Sequence, residues 1–379
     1  MRVGLVMHGL DRPLSGVTRV ALELARALQL NGACELVLLS TSRRAVSLEG
    51  IGADVHHLPG CERVPGLMLL GGPLLAVAAR RLALDVIHDP VGVSPFTLGR
   101  WAGAFKRVVT IHDAIAFRYP EGYSWSNNFL HRRYVPATLR NVDQVITVSE
   151  NSRADLHHFL GLDEARVSVV PNAAGTAYQP LQSDVAASVA QRYGLRPPYV
   201  LHVGTTQARK NIEGLLAAFE ALSARLPGHQ LALVGPDRLA HDSLRDRIDA
   251  RGLMDHVRIV GPVPEEDLPA LYSGASLFAF PSLFEGFGLP VLEAMACGTP
   301  VVASNTTSLP EVAGSAAMLV DPRDTHALAQ AMYRVLTERS LRDSLRELGL
   351  RRARSFTWER TSRETAAVYG RVLSGSSRR

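Results

Sequence analysis

The chain is poor in cysteine and has no recognisable metal-binding pattern. Its three cysteines, Cys34, Cys61 and Cys297, are odd in number and lie far apart. That spacing argues against a disulfide framework and a zinc site, and it suits a reducing compartment. The pattern Asp-x-Asp does not occur anywhere in the sequence. We therefore expect no bound metal and no cofactor.

The chain also lacks a dense block of charge of either sign. Its 41 Lys and Arg against 36 Asp and Glu give a net charge of +5. Because no basic block is interleaved with aromatic residues, nucleic-acid binding is not predicted. The small positive excess is that of an ordinary solvated surface, with attraction to phosphate-bearing ligands or to an anionic membrane as the alternatives.

No apolar run is long and continuous enough to predict a membrane-spanning helix. The most apolar stretch, residues 64–84, is interrupted by Gly71, Gly72 and Pro73, whereas a span needs about 20 apolar residues. It is predicted to be a domain helix, with a helix lying on the membrane interface as the alternative. The apolar residues 1–7 are too few for a signal peptide. These features predict a cytoplasmic protein, with peripheral contact at the inner face of the membrane left open.

What the chain does contain is a regular alternation of short apolar runs and helical patterns. Continuous Val/Ile/Leu runs suit strands that helices cover on both faces, which predicts α/β domains with doubly wound parallel sheets. A pause with prolines near residue 180 predicts a linker. The expected organisation is an N-terminal domain of residues 1–180, a second domain of residues 181–355, and a C-terminal helix with its tail in residues 356–379. The predicted strands lie at residues 2–7, 36–39, 85–88, 107–111, 144–148, 167–170, 199–203, 231–234, 257–260, 277–280, 300–303 and 317–320.

The strongest motif is the segment 284–296, which follows a predicted strand and opens a helix with Pro290 near its start. Glu285 and Glu293 are two carboxylates that could hold hydroxyl groups of a ligand. Glu293 is expected in the first turn of the helix, where the alternative is a role in complementing the helix dipole. The amides expected to point out of the helix N-terminus, where anions and hydroxyls bind, belong to Gly286, Phe287, Gly288 and Leu289.

A second motif, residues 204–211, also lies between a predicted strand and a predicted helix. It begins with Gly204 and contains Arg209 and Lys210. An arginine can grip two phosphate oxygens and a lysine supplies a compact charge, so the pair suits a diphosphate at a helix N-terminus. The alternative is an exposed basic pair without a ligand.

Two weaker signals lie in the N-terminal half. Gly16 is part of the segment 13–17 after the first strand, where a glycine permits close approach of a phosphate or a sugar, although the full dinucleotide glycine pattern is absent. His112, in the segment 110–113, ends a strand and could donate to a sugar hydroxyl or to a backbone carbonyl. A structural role for this histidine is the alternative.

Taken in order, these segments resemble glycosyltransferase family 4 over nearly the whole chain. The Glu-x7-Glu element of residues 285–293 is the most specific, and the Arg-Lys-Asn element of residues 209–211 supports it. The resemblance implies the GT-B fold, in which two Rossmann-like domains face each other and a C-terminal helix crosses back. The first domain would bind the acceptor and the second the nucleotide-sugar. Further similar segments lie at residues 111–113, 146–150, 170–172, 308–312 and 356–359.

The resemblance also implies roles for single residues. Glu285 and the amides of residues 287–289 would hold the donor sugar, and Glu293 would bind the ribose. Arg209 and Lys210 would neutralise the diphosphate. The remaining implied donor contacts are Gly16 at the phosphate, His112 at the transferred sugar, Gly204 in the basic motif and the backbone of Val263 at the base. Family members generally retain the anomeric configuration and need no metal.

One departure concerns Thr205, which stands where many relatives have an arginine. It shifts the resemblance toward mannosyltransferases of surface polysaccharide synthesis. We therefore expect transfer of a hexose from a nucleotide diphosphate sugar, GDP-mannose before UDP-hexoses, to a saccharide or lipid-linked saccharide. The acceptor pocket is expected near residues 117–125. The alternatives are a nucleotide-sugar epimerase of the same architecture and a non-catalytic nucleotide-sugar or glycan-binding protein.

Overall fold

A computed structural model describes residues 1–10, 15–43, 48–97, 105–237 and 244–375. The chain forms two compact units. The first comprises Met1–Asn172 together with the C-terminal segment from Trp358, and the second comprises Ala173–Thr357. The boundary between the two units falls after Asn172, whereas the sequence predicted it after residue 180. The reason is that Tyr178 packs edge-on against Tyr272 of the second unit.

The first unit is built on a seven-stranded sheet in which all pairings are parallel, in the order β3-β2-β1-β4-β5-β6-β7. Its central strands are almost entirely buried, because helices cover both faces. The strands are β1 Arg2–Met7, β2 Glu35–Ser40, β3 Asp54–His57, β4 Val86–Asp89, β5 Lys106–Thr110, β6 Gln144–Thr147 and β7 Val167–Val169.

In the described residues of this unit, six α-helices lie between the strands. Helices α4 and α5 are joined without a break by a π-helical segment, Leu130–Tyr134. The six are α1 Gly16–Asn31, α2 Val64–Arg81, α3 Ile115–Arg118, α4 Trp125–Phe129, α5 Val135–Leu139 and α6 Glu150–Leu160.

The second unit repeats the plan with six parallel strands in the order β10-β9-β8-β11-β12-β13. The strands are β8 Tyr199–Val203, β9 Gln230–Val234, β10 Val257–Gly261, β11 Leu277–Phe280, β12 Val301–Ser304 and β13 Met318–Val320. The helices are α7 Ser183–Arg192, α8 Ile212–Ser223, α9 Leu244–Asp249, α10 Leu268–Gly274, α11 Leu289–Ala296, α12 Leu309–Ala313, α13 Thr325–Thr337 and α14 Arg339–Ala353. In a sheet of this order the direction of winding reverses between β8 and β11, which is where such sheets bind ligands.

The last helix, α15 (Trp358–Leu373), returns to the first unit. Its buried face packs on α1, and the side-chain amide of Asn31 donates to the Ser362 hydroxyl at 2.7 Å. Farther along, the Tyr369 hydroxyl meets Nδ1 of buried His88 at 2.7 Å. Helix α15 is therefore part of the hydrophobic core of the first unit.

Helix α2 contains the apolar stretch noted in the sequence. It spans Val64–Arg81, with Pro73 inside it. Across the described ranges, no helix combines the length and the hydropathy needed to cross a membrane.

Candidate functional site

The basic motif and the acidic motif meet at the winding reversal of the second sheet. Arg209 and Lys210 lie in a 3₁₀ turn, Ala208–Lys210, after β8, and Glu285 lies in the loop after β11. The two strands are neighbours, and the Leu283 amide donates to the Arg209 carbonyl at 2.7 Å. The strand order thus joins two segments that are far apart in the chain.

Lys210, Arg209 and Glu285 form a compact ionic cluster. Nζ of Lys210 donates to Oε1 of Glu285 at 2.6 Å, and a guanidinium nitrogen of Arg209 donates to the same oxygen at 3.1 Å. The Lys210 and Glu285 side chains are only 8% and 10% exposed. Nζ of Lys210 also lies 4.7 Å from the centre of the Phe280 ring. With two cations and one carboxylate, the cluster carries one net positive charge.

The ionisation of Glu285 reflects two opposing influences. Burial disfavours its charged form, but the positive charges of Lys210 and Arg209 outweigh burial and hold the pKa of Glu285 below 4.5. The carboxylate is therefore ionised near neutral pH. An anion entering the cluster competes with this carboxylate for the two cations.

Buried His202 on β8 lies beside the cluster. Its Nδ1 donates to the Ala279 carbonyl at 3.0 Å, and its ring stacks on Phe280. Burial lowers the pKa of His202 to about 4, and the positive charge of Lys210 adds to the effect. Among the residues that the structure describes, Nε2 of this buried histidine has no hydrogen-bond partner.

Two side chains from the segment after β12 hold the turn that carries Glu285. The Ser308 hydroxyl lies 2.9 Å from the carbonyls of both Glu285 and Phe287, and the Glu285 amide donates to the Thr307 hydroxyl at 3.2 Å. Gly288 precedes α11 with φ of 103°, and a Cβ added there would lie 2.5 Å from a methyl carbon of Leu309. These contacts hold the backbone of residues 286–289 at the start of α11.

The structure places Glu293 differently from the sequence prediction. It lies in the second turn of α11, not the first, because the helix begins at Leu289. Its buried carboxylate accepts a hydrogen bond from the Tyr272 hydroxyl at 3.0 Å. A helix-dipole role is weakened by this placement, since that effect falls off beyond the first turn.

In the first unit, Gly16 is the first residue of α1, which Ser15 caps by accepting a hydrogen bond from the Thr18 amide. A Cβ added to Gly16 would have no atom of the described residues within 4 Å. The fold therefore does not require a glycine at this position. Residues 13 and 14 of the same motif lie outside the described residues.

His112 lines a cavity of about 170 Å³ in the first unit. Its Nε2 donates to the Pro90 carbonyl at 2.8 Å, and burial lowers its pKa. Val17, directly after Gly16, lines the same cavity, as do Phe117 and Tyr123 of the predicted acceptor segment. The cavity thus joins both N-terminal motifs to that segment.

The two remaining predicted donor contacts follow strands of the second unit. Gly204 directly follows β8, and its amide donates to the Val234 carbonyl at 2.8 Å. Val263 is half-buried after the edge strand β10, so β8 and β9 stand between its strand and β11. In the part of the chain that the structure describes, no three His, Cys, Asp or Glu side chains form a group that could hold a metal ion.

Four residues that lie beside the cluster or contact Glu293 had no predicted role, although Ser308 belongs to one of the segments similar to family 4. They are His202, Tyr272, Thr307 and Ser308. Their contacts arise from strand order and helix packing. Local sequence pattern carries no signal for such contacts.

Two Rossmann-like parallel sheets, with a basic pair and a carboxylate at the winding reversal of one of them, define the GT-B class of glycosyltransferases. Residues 14–177 match the family described as Glycosyltransferase Family 4, and residues 189–352 match Glycosyl transferases group 1. The chain belongs to glycosyltransferase family 4, and it is a glycosyltransferase.

Curated relatives match most of the chain. The chain is 31% identical to the O-antigen chain mannosyltransferase B of Escherichia coli, over 97% of this chain and 99% of the relative. It is 36% identical to a D-inositol 3-phosphate glycosyltransferase of Salinispora tropica, over 83% of this chain and 74% of the relative.

Solved structures share the fold. Sucrose-phosphate synthase from Thermosynechococcus elongatus matches with a TM-score of 0.77 at 24% identity, covering 99% of this chain and 100% of that one. The Anabaena protein HepE, in complex with UDP and glucose, matches with a TM-score of 0.77 at 20% identity, covering 98% and 99%. The prediction of a GT-B fold is thereby confirmed.

Proposed function

We propose that this protein transfers mannose from GDP-mannose to a saccharide or lipid-linked saccharide, with retention of configuration, in surface polysaccharide or glycolipid synthesis. The observation that carries the proposal is the buried Arg209–Lys210–Glu285 cluster with its net positive charge. The choice of mannose follows the similarity to O-antigen mannosyltransferase B. The reaction would take place at the cytoplasmic face of a membrane.

The cluster suits a diphosphate leaving group. A diphosphate is negatively charged. Arg209 and Lys210 would turn from Glu285 toward the phosphate oxygens when the donor binds. The amides at the start of α11 supply further donors in fixed positions. Stabilisation of the developing charge by donors in fixed positions, such as these amides, is usually the largest single contribution to catalysis. No metal is part of the proposal.

The proposed transfer is a front-face substitution. The acceptor hydroxyl attacks the anomeric carbon on the face from which the diphosphate departs. The bond between that carbon and the phosphate oxygen breaks, and the departing phosphate takes the hydroxyl proton. The products are the mannoside and a nucleoside diphosphate. Glu285 holds the sugar in position.

Calorimetric titration without metal and with chelator tests the donor site. We would titrate GDP, UDP, dTDP and ADP, then the corresponding nucleotide sugars, into the wild type and into an Arg209→Ala/Lys210→Ala variant. The matched control is Arg247→Ala/Arg251→Ala, which removes two arginines that pair with Glu213 on the surface of the same unit. We expect a preference for GDP that only the Arg209/Lys210 variant loses.

Product analysis tests the rest of the proposal. With GDP-mannose and an acceptor glycan, NMR of the product should show an axial anomeric bond as in the donor. Failure of every nucleotide to bind to folded protein would refute the donor site. A preference for UDP would refute GDP-mannose but keep the transferase, and conversion of the donor without any acceptor would point to an epimerase.

A further inference from the structure

Helix α2 presents an apolar surface to solvent. Residues 64–79 contain only Val, Pro, Gly, Leu, Met and Ala, so neither face of this part of the helix carries a polar side chain. One face is buried in the core of the first unit. The opposite face exposes a stripe at four-residue spacing, made of Pro65, Leu69, Pro73 and Val77. Leu69 is 77% exposed and Val77 is 45% exposed.

A second exposed apolar surface lies on α4 of the same unit. On α4 the rings of Trp125 and Phe129 stack on each other at 6.0 Å, and Trp125 is 82% exposed. The π-helical segment that follows α4 contacts α2, because the Tyr134 hydroxyl donates to the Met68 carbonyl at 3.3 Å. We call Leu69, Val77, Trp125, Phe129 and their exposed neighbours on α2 the apolar patch.

Arginines accompany the apolar patch. Exposed Arg80 and Arg81 end α2, and Arg132 and Arg133 line one groove with Trp125 and Phe129. Residues 64–84 contain no acidic side chain, and Glu121 is the exposed carboxylate before α4. Aromatic and aliphatic side chains beside arginines are the composition of a surface that lies on the interface of an anionic membrane.

We propose that the apolar patch docks on the surface of an anionic phospholipid bilayer. Leu69, Val77, Trp125 and Phe129 would insert among the acyl chains near the headgroups, and the arginines would pair with lipid phosphates. A second copy of the chain is the less suitable occupant. A two-fold contact through the same patch would bring the arginines of both copies together. This proposal rests on the membrane location given in the proposed function, and it identifies the surface of the protein that would bind the membrane.

Vesicle flotation of the full-length protein tests the proposal without any nucleotide sugar. The vesicles contain phosphatidylglycerol and phosphatidylethanolamine, or phosphatidylcholine alone as the neutral comparison. Val77→Glu is paired with the control Val185→Glu, because Val185 on α7 of the second unit has the same 45% exposure. Further variants are Leu69→Glu/Val77→Glu and Arg132→Glu/Arg133→Glu.

The wild type and Val185→Glu should float with the anionic vesicles and much less with the neutral ones. Val77→Glu should lower partitioning by about tenfold, because a carboxylate would have to enter the interface. Each arginine replaced should lower it by about fivefold or more at low salt. Trp125 fluorescence should shift to the blue on vesicle addition, and Trp125→Phe should remove that shift.

Absence of wild-type flotation, or equal flotation of Val77→Glu and Val185→Glu, would overturn the proposal. So would a change in oligomeric state of Leu69→Glu/Val77→Glu by light scattering without lipid, since that result would assign the patch to a protein partner. Transfer to a water-soluble acceptor should be unchanged in this double variant. A failure of transferase activity is therefore distinguishable from a failure of membrane docking.

Discussion

At the scale of single residues, the pairing of Lys210 with Glu285 is the main interaction of the candidate site. The pair is buried and the Lys210–Glu285 distance is 2.6 Å. Breaking such a pair from one side leaves an uncompensated charge in the interior. The stability of the second unit therefore depends on these side chains, and the proposed function uses both of them.

The first prediction concerns Glu285→Gln. It should lower transfer on the order of a hundredfold and lower the free energy of unfolding by about 3 kcal/mol at neutral pH. Because the folded pKa lies below 4.5, the contribution of Glu285 is present above about pH 4.5 and is lost as the pH falls further. The stability difference from the wild type should shrink accordingly in denaturant titrations at decreasing pH.

The control for this variant is Glu213→Gln, which breaks half-exposed ion pairs with Arg247 and Arg251. It should change the free energy of unfolding by less than about 1 kcal/mol and leave transfer intact. Equal effects of the two glutamine variants on stability and on transfer would contradict the role assigned to Glu285.

His202 provides the second prediction. Its pKa is about 4 in the folded protein and 6.5 in the unfolded chain. The unfolded chain therefore binds more protons between these values, and about 3 kcal/mol of stability is lost as the pH falls from 6.5 to 4. His202→Asn keeps a donor for the Ala279 carbonyl and should remove this part of the pH dependence. His88 titrates in both proteins, so a difference curve isolates His202, and parallel stability curves would refute the prediction.

At the scale of elements, Gly16 opens α1 and Gly288 precedes α11. Different physical requirements favour glycine at these two positions. Gly288 has φ of 103° and borders buried Leu309. Gly16 has free space around its missing side chain. The fold therefore requires the glycine before α11. It does not require the glycine that opens α1, and close approach of a ligand would account for that residue.

The third prediction compares the two glycines. Gly288→Ala should lower the free energy of unfolding by about 1–3 kcal/mol, because an alanine is strained at that φ. Gly16→Ala should keep or slightly raise stability, by up to about 1 kcal/mol. It should nevertheless weaken donor binding by about tenfold if the phosphate approaches this backbone. Thermal unfolding and calorimetry measure the two effects, and undiminished donor affinity of Gly16→Ala would remove Gly16 from the site.

Elements differed in how well their sequences predicted them. Buried strands such as β1 and β9 are continuous apolar runs and were predicted correctly. Strand β3, Asp54–His57, was not predicted, because it lies at the sheet edge and its residues are mostly polar. The π-helical segment Leu130–Tyr134 was also not predicted, since a π-helix has no simple sequence period.

At the scale of the whole molecule, the first unit is closed by a helix from the far end of the chain. Tyr369 of α15 is fully buried, and its ring meets His88 edge-on at 5.7 Å. His88 in turn lies 2.8 Å from the hydroxyl of Thr110, two residues before His112. The C-terminal helix therefore supports the strand that carries a predicted site residue.

The fourth prediction is that Tyr369→Ala lowers the stability of the first unit by about 3–5 kcal/mol, because it opens a cavity in a closed core. Hydrogen exchange should show lost protection in residues of that unit, while α8 and β8 of the second unit keep theirs. Leu373→Ala, a partly exposed position on the same helix, is the control and should change little. Equal loss of protection in both units would contradict the prediction that the hydrophobic cores of the two units are independent.

The sequence by itself determined the two α/β units, the positions of their buried strands along the chain, and the loops that carry Arg209, Lys210 and Glu285. Apolar periodicity, glycine and proline act on neighbouring residues, so these features can be read locally. Only the tertiary structure decided that Glu285 pairs with Lys210 while Glu293 meets Tyr272, and that one face of apolar α2 stays in solvent. Those outcomes depend on which strands and helices become neighbours, because they join residues that are distant along the chain.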